Sequence, residues 1–422
     1  MLATLGRAVK VGDLRARILF TLAMLLVFRL GVHVPTPGVI PERVAPLFAS
    51  GSIFNLLDLF AGGALATVSV FAMSITPYIN SSIIVQLLTV VIPRLEEWAK
   101  EGEEGRRKLT QLTRYGTVVM ALIQAGGIAF FLHRAAALEW PGFPGMAIVA
   151  ITLTAGTVLL MWIGEQITDK GIGNGISLLI FAGIVSRLPH GLVTLVEMWR
   201  AGSVTVLQIL LLVVLGLAVI VAVVWVTEGQ RRIPVQYAKR VVGRRIYGGQ
   251  STHIPIRVNQ AGVIPVIFAA SLVALPLTLA GFFPRAGWAQ FIMRWFDWGT
   301  PLNTVVYFWL IIGFTFFYTA ITFNPQDIAD NLRKYGGYIP GLRPGRPTAE
   351  YLARVVMRIT VAGALFLALI SVLPLLVRGI THIASIYFGG TALLIVVGVA
   401  LETMKQIEAH LLMRQYQGFM KR

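Results

Sequence analysis

Apolar runs bounded by charged or turn-forming residues recur ten times along the chain, at 18–34, 74–92, 115–133, 146–167, 176–185, 204–226, 261–283, 304–323, 355–376 and 388–401. Roughly 20 apolar residues cross a bilayer as a helix. The pattern predicts an all-α polytopic membrane protein with ten transmembrane helices. One run stands apart. Residues 74–92 (SITPYINSSIIVQLLTVVI) follow directly on a second apolar piece, 55–68 (NLLDLFAGGALATV), which carries Asp58 and Gly62-Gly63 and is too short to reach the far side. Irregular backbone at membrane depth survives only where protein buries it or it lines an aqueous cavity. The pair therefore predicts a short re-entrant helix lodged inside a pore, against a spanning helix.

Ten runs divide into five and five. An odd number in each half makes the second half enter the membrane from the opposite side. Inverted halves of this kind place a pathway at the interface between them. The expected division is an N-terminal half over 1–187, a hinge connector over 188–203 and a C-terminal half over 204–422. The repeat follows from topology alone, since the halves show no residue-level echo.

Two connections are longer than neighbouring helices need, and long ordered loops are usually functional. Residues 228–259 mix β-branched, aromatic and basic residues and predict a protruding hairpin or finger, with Gly248-Gly249 as its turn. Residues 323–351 predict a short helix around 328–334 and then a Gly/Pro-rich tip.

Composition agrees with the pattern. Of 422 residues, 56% are hydrophobic and 13% charged. The mean hydropathy is +0.76, more apolar surface than a soluble chain of this size could hide. Cysteine is absent, which excludes disulfides and thiolate metal sites. The hydrophobic run after residues 2–17 lacks a cleavage site and reads as a retained span.

Charge sets the orientation. With the N-terminus inside, 27 of the 36 Lys and Arg residues fall in cytoplasmic segments and 7 in outer ones. That bias places both termini in the cytoplasm.

Enzyme chemistry finds no foothold. There is no His-Glu-x-x-His helix, no Gly-x-Ser-x-Gly elbow and no phosphate loop with a lysine. Gly171-Ile172-Gly173-Asn174-Gly175 resembles a dinucleotide loop but has no strand before it, so a tight turn between spans four and five is expected. The six histidines are scattered, and no cofactor is expected. A coupled transporter would carry ionisable groups deep in its spans. Arg29, Arg358, Glu165 and Glu402 all lie near span ends, where snorkelling accounts for them. An inverted-repeat transporter for a small solute stays as the alternative. A passage for polypeptide asks for something else: bulky aliphatic side chains at a constriction, which shed water when closed and yield to a chain, and a stopper beside them.

Several motifs together resemble one family. They are Leu30-Gly31 through Pro35-x-Pro37-Gly38, and Phe60-Ala61-Gly62-Gly63-Ala64-Leu65 followed by Pro77-Tyr78-Ile79-Asn80-Ser81-Ser82. Further on stand Glu101 through Lys108, Gly164-Glu165-Gln166-Ile167-Thr168, Gly229-Gln230-Arg231-Arg232-Ile233, Ala261-Gly262-Val263-Ile264-Pro265, Phe323-Asn324-Pro325, Pro340 through Gly345, and Phe388-Gly389-Gly390-Thr391. In order and over nearly the whole chain, this set resembles the SecY family, its bacterial members most closely.

The resemblance implies a protein-conducting channel. Its pore ring would be Ile75 and Ile79 on span two, Ile180 on span five, Ile267 on span seven and Ile395 on span ten. Ile75 and Ile79 are four apart and share a helix face. Taken singly, each isoleucine reads better as lipid contact or packing; only their joint convergence raises the pore assignment. The plug would be Asn55, Leu56, Leu57, Asp58, Leu59, Phe60, Ala61, Gly62, Gly63, Ala64 and Leu65, within 55–68. A re-entrant or interfacial turn is the other reading of that stretch. A lateral gate would open between spans two and seven, at Asn80, Ser81, Ser82, Gln86, Asn259 and Gln260. Polar contacts between membrane helices are worth only ~0.6–2 kcal/mol each, so a signal sequence could replace them; ordinary helix-to-helix glue is the alternative. Arg231, Arg232, Arg240, Arg244 and Arg245 on the finger, with Arg343 and Arg346 on the second tip, would meet partners. Such clusters attract nucleic-acid phosphate, anionic lipid or acidic protein surface alike. The resemblance implies the ribosome and the SecA motor, with SecE and SecG as further subunits. Signal sequences and unfolded secretory polypeptides would be the substrates, and the bacterial plasma membrane the location.

Overall fold

The computed structural model describes residues 11–44, 63–65, 67–237, 240–242, 245–247, 251–283, 286–297, 300–381 and 390–420. Its helices are α1 (Gly12–Gly31), α2 (Thr76–Val91), α3 (Pro93–Lys100), α4 (Glu103–Arg134), α5 (Phe143–Lys170), α6 (Gly175–Arg200) and α7 (Val206–Glu228). After strands β1 (Gln230–Tyr237), β2 (Arg240–Val242), β3 (Arg245–Tyr247) and β4 (Ser251–Arg257) come α8 (Ile264–Phe282), α9 (Gly287–Phe296), α10 (Pro301–Thr322) and α11 (Pro325–Lys334). Strand β5 (Gly337–Tyr338), α12 (Arg346–Thr381) and α13 (Gly390–Met420) complete the order.

Among the described residues, seven helices are long and apolar enough to cross a membrane, and the pair α2 and α3, bent by 102°, supplies an eighth. With α1 and α13 the described helices are consistent with the ten crossings expected. The bend has a local cause. Pro93 pushes the residue before it out of the helical region, and Ile92 sits at φ −101°, ψ 113°. Pro93 then opens α3, a surface helix with Leu95 as its buried residue.

Several helices overrun their apolar stretches. Helix α6 continues through Pro189 to Arg200, so the connector expected over 188–203 is helical for most of its length. The polar residues Arg187, His190, Glu197 and Arg200 end the apolar run in sequence without ending the helix. The same holds for α4, α12 and α13, which exceed 30 residues in two cases and reach 36 in the third.

The turn between α5 and α6 forms as expected. Gly173 takes a φ of +89°, a conformation that glycine adopts without strain. Asn174 caps α6 by accepting a hydrogen bond from the Ser177 N–H at 3.1 Å.

The first long loop is a β finger. β1 and β4 pair antiparallel from Gln230↔Arg257 to Gln236↔Ser251, and β2 pairs with β3 from Arg240↔Tyr247 to Val242↔Arg245. The distal ladder therefore reverses between Val242 and Arg245, while Gly248-Gly249, expected as the turn, lie outside the described residues. The second long loop gives α11, which starts at Pro325, earlier than expected. Its strand β5 pairs with β1. Sequence patterning treats the two loops as separate; the structure joins them on one apolar core of Ile233, Val235, Ile256, Leu332, Ile339, Leu352, Val355 and Val356. The fold is thus all-α in the membrane, with two small sheets beyond it.

Contacts between the two expected halves run along α8 against α2 and α4, and along α6 against α13.

Candidate functional site

The approach to α2 is the irregular part of the apolar interior. From Val68 to Ile75 the chain makes successive turns, and Val68, Ser69, Phe71, Ala72, Met73, Ser74 and Ile75 are all buried. Val68 and Ser74 hold positive φ values of 43° and 52°. Non-helical backbone here must find internal partners, and it does. The N–H of Ser69 donates to the Ala64 carbonyl at 2.8 Å, that of Val70 to Val34 at 3.0 Å, and that of Thr36 to Val68 at 3.0 Å. Helix α5 comes close at Gly156, where any Cβ would overlap the Val70 carbonyl oxygen.

Asn55 to Gly62 lie outside the described residues, so the expected plug is described only from Gly63. Gly63 has φ +97°; Ala64 and Leu65 are buried. The Arg187 guanidinium lies over Gly63, 3.7 Å from where a Cβ would stand. In sequence, Arg187 closes the N-terminal half just ahead of the expected hinge connector, and nothing in the sequence links it to Gly63.

The five isoleucines are all buried, none more than 7% exposed. Ile75 sits just ahead of α2, and its carbonyl accepts the Ile79 N–H at 3.1 Å. With Ile180 on α6, Ile267 on α8 and Ile395 on α13, they belong to one continuous apolar cluster that also holds Ala64 and Leu65. Four helices, two from each half, thus bring these side chains into a shared interior.

The expected gate residues divide. Asn80 lines a narrow cavity of about 30 Å³ with Leu65, Thr76, Gln124 and Thr278. It therefore stands at the α2, α4 and α8 junction, and its buried Nδ2 has no hydrogen-bond partner among the described residues. Gln124 and Thr278 were missed from sequence because each is an isolated polar residue within an apolar stretch of its helix. Ser81 turns to α4, donating to the Thr113 carbonyl at 2.8 Å. Ser82 accepts from Gln86 within α2 at 3.1 Å. Asn259 and Gln260 line a different cavity of about 400 Å³, among α7, α8, α10, α12 and α13, with Arg257, Glu402 and Lys405.

On the finger, Arg231 and Arg232 are exposed on β1 while Ile233 and Val235 point into the core. Arg240 and Arg245 occupy β2 and β3, and Arg244 falls outside the described residues. Arg343 and Arg346 are exposed, Arg346 pairing with Glu350 at 3.1 Å. Because β5 pairs with β1, finger and tip form one basic platform rather than two projections.

The sequence model of the SecY family matches residues 69–404. That is well over half of the chain. The chain belongs to the SecY family. Among SecY relatives, the protein translocase subunit SecY of Halalkalibacterium halodurans is 50% identical over 438 residues, covering all of both chains. That of Bacillus subtilis is 47% identical over 433 residues, again covering all of both. That of Escherichia coli K12 is 46% identical over 420 residues, 97% of this chain and 95% of its own. Among solved structures, one described as a protein-conducting channel superposes with a TM-score of 0.65 at 19% identity, covering 94% of this chain and 92% of that one. Sec61 in a canine ribosome–channel complex gives a TM-score of 0.61 at 19% identity, with the same coverage. The SecY fold is thus shared, and a solute transporter finds no support among these relatives.

Proposed function

We propose that this chain is the channel-forming subunit of a bacterial protein translocase, passing unfolded polypeptides across the plasma membrane and releasing hydrophobic segments sideways into lipid. Its full-length likeness to proteins described as translocase subunits supports that reading. The observation that carries it to mechanism is the buried aliphatic interior shared by α2, α6, α8 and α13.

In this reading Ile75, Ile79, Ile180, Ile267 and Ile395 form the constriction, and the stretch ending at Leu65 stops it. An aliphatic waist sheds water and so blocks ions while closed. A hydrophobic signal helix parts α2 from α8 beside Asn80, a polar residue at the cavity it shares with Gln124 and Thr278. Polar contacts between membrane helices are worth only ~0.6–2 kcal/mol each, so this part of the seam opens readily. No bond is made or broken on this chain; the driving energy comes from a motor or a ribosome at the basic platform. SecA and the ribosome are the partners proposed for Arg231, Arg232, Arg343 and Arg346, with SecE and SecG as companion subunits. Both termini face the cytoplasm, as the distribution of basic residues supports.

The deciding experiment places a photocrosslinker at Ile79 and stalls a secretory chain in transit. Adducts at Ile79, and none at Trp225 on the exposed side of α7, are expected. Adducts at both or at neither would remove the assignment.

A further inference from the structure

At the end of α8 away from the finger, the chain makes one more helix before it re-enters the apolar layer. This is α9, with sequence GWAQFIMRWF. Its ten residues measure about 15 Å, far short of a crossing. Ala289 is fully buried, and Ile292 and Phe296 pack on the central apolar cluster. The other side is unusual for a surface facing water. Trp288, Phe291 and Trp295 are 50%, 59% and 49% exposed. Their spacing of three and then four puts them in one stripe. Gln290 and Arg294, also exposed, flank that stripe.

The stripe is not isolated. Trp140 between α4 and α5, Phe143 at the start of α5, and Trp199 near the end of α6 are exposed at the same side of the molecule. Helices α4, α6 and α8 run from the finger side to this one, and α5 starts here. Tryptophan and its neighbours collect where acyl chains give way to headgroups, because the ring is apolar and the indole N–H needs a polar partner. An amphipathic helix with aromatic residues on one face and a cation beside them lies in that layer rather than across it.

We infer that α9 is seated in the bilayer surface opposite the finger, with Trp288, Phe291 and Trp295 at the acyl boundary and Arg294 at the level of lipid phosphate. The occupant of the aromatic stripe is lipid. The assignment rests on the membrane reading above and adds to it a fixed anchor beside the α8 end of the seam. Phe283, which follows α8, touches Trp288 with ring centroids 6.0 Å apart, so the anchor connects directly to that helix.

The absence of cysteine makes the test clean. Phe291→Cys and, separately, Trp295→Cys are labelled with an environment-sensitive fluorophore in the full chain. The labelled chain is reconstituted with its companion subunits in phosphatidylethanolamine and phosphatidylglycerol vesicles. Arg231→Cys on the finger serves as the aqueous control. Lipid carrying a nitroxide near the headgroup should quench the α9 labels strongly, and dissolved iodide should quench them far less than the Arg231→Cys label. Equal iodide quenching at both places would overturn the inference, since α9 would then stand in water. Insensitivity to both quenchers would overturn it too, since protein would cover the stripe. Stronger quenching by a nitroxide deep in the acyl chain would mean insertion rather than seating, and the inference would fall in that case as well. Protein export by the same vesicles is read in parallel. Loss of export with all labels as expected would count against the translocase reading alone.

Discussion

The backbone N–H of Gly173 donates to the side-chain Oε1 of Gln406, 2.8 Å away and 233 residues further along the chain. The turn that carries Gly173 is held on its other side by α1, where Thr21 Oγ1 accepts the Ile172 N–H at 3.0 Å. Leu14, Ile172 and Ile407 pack together around this point. One glycine turn thus ties the first helix of one half to the last helix of the other. Replacing Gln406 with Leu keeps the volume and removes the acceptor, which leaves a partly buried N–H unpaired at a cost of about 1–3 kcal/mol. Gln406→Glu keeps an acceptor there. The melting temperature of the purified complex should fall clearly for Gln406→Leu and much less for Gln406→Glu; equal losses would show that the bond itself does nothing.

The proposed constriction predicts a leak. Ile79→Gly combined with Ile180→Gly removes two large aliphatic side chains from the buried cluster. A waist that excludes water by its apolar bulk must then admit it. Ion conductance through reconstituted channels should rise in the double variant. Unchanged conductance would remove these residues from the constriction.

Much of the membrane architecture is legible in the chain because apolar period and basic bias are strong local signals. The ends of helices are not. Arg187 and His190 end an apolar run without ending α6, because solvent tolerates a helix whose backbone bonds are internal. The joining of the two cytoplasmic loops is invisible for a different reason. It depends on two residues of β5 meeting Gln236 and Tyr237 across a hundred positions of chain, and no periodicity encodes that pairing. Asn80 is apparent from sequence as an interhelical polar residue, yet its neighbours Gln124 and Thr278 are not. Single polar residues in a long apolar run acquire meaning only when three helices meet.

Gly156 tests the irregular approach to α2. Its missing side chain makes room for the Val70 carbonyl, and a Cβ would overlap that oxygen. The obstacle is backbone, which cannot swing aside as a flexible side chain can. Gly156→Val should therefore cost several kcal/mol, on the order of the 4–5 kcal/mol seen for severe substitutions, and should appear as poor accumulation of the assembled protein. Gly126, on α4, has open space where a Cβ would go, so Gly126→Ala should accumulate normally.

The basic platform predicts a separation of export from folding. Arg343 is exposed, and its backbone carbonyl, not its side chain, accepts the 2.8 Å hydrogen bond from Thr348 that shapes the tip. Arg343→Glu reverses charge without touching that bond. Motor-driven export should stall while folding stability changes by no more than about ±0.5 kcal/mol, the range of ordinary surface substitutions. Export at the unmodified rate would take Arg343 out of the partner site.

Phe130 on α4 and Phe283 after α8 belong to opposite halves, and their ring centroids are 6.1 Å apart. The Arg134 guanidinium lies over Phe130 at 4.7 Å, and Phe283 in turn meets Trp288. This row of contacts spans the seam at the end opposite the finger. An aromatic pair adds about 0.5–1.5 kcal/mol beyond its buried area, comparable to a polar contact between membrane helices. Parting α8 from α4 must first break it. Phe130→Ala therefore lowers the work a signal sequence has to do, by roughly the pair's worth. Secretory proteins with weakened signal sequences should be exported several-fold better by the variant, at about tenfold for each 1.4 kcal/mol removed from the closed state. Phe130→Leu, which keeps bulk but not the ring, should fall between. Should Phe130→Ala export such substrates no better than the original chain, the row packs the seam without holding it shut.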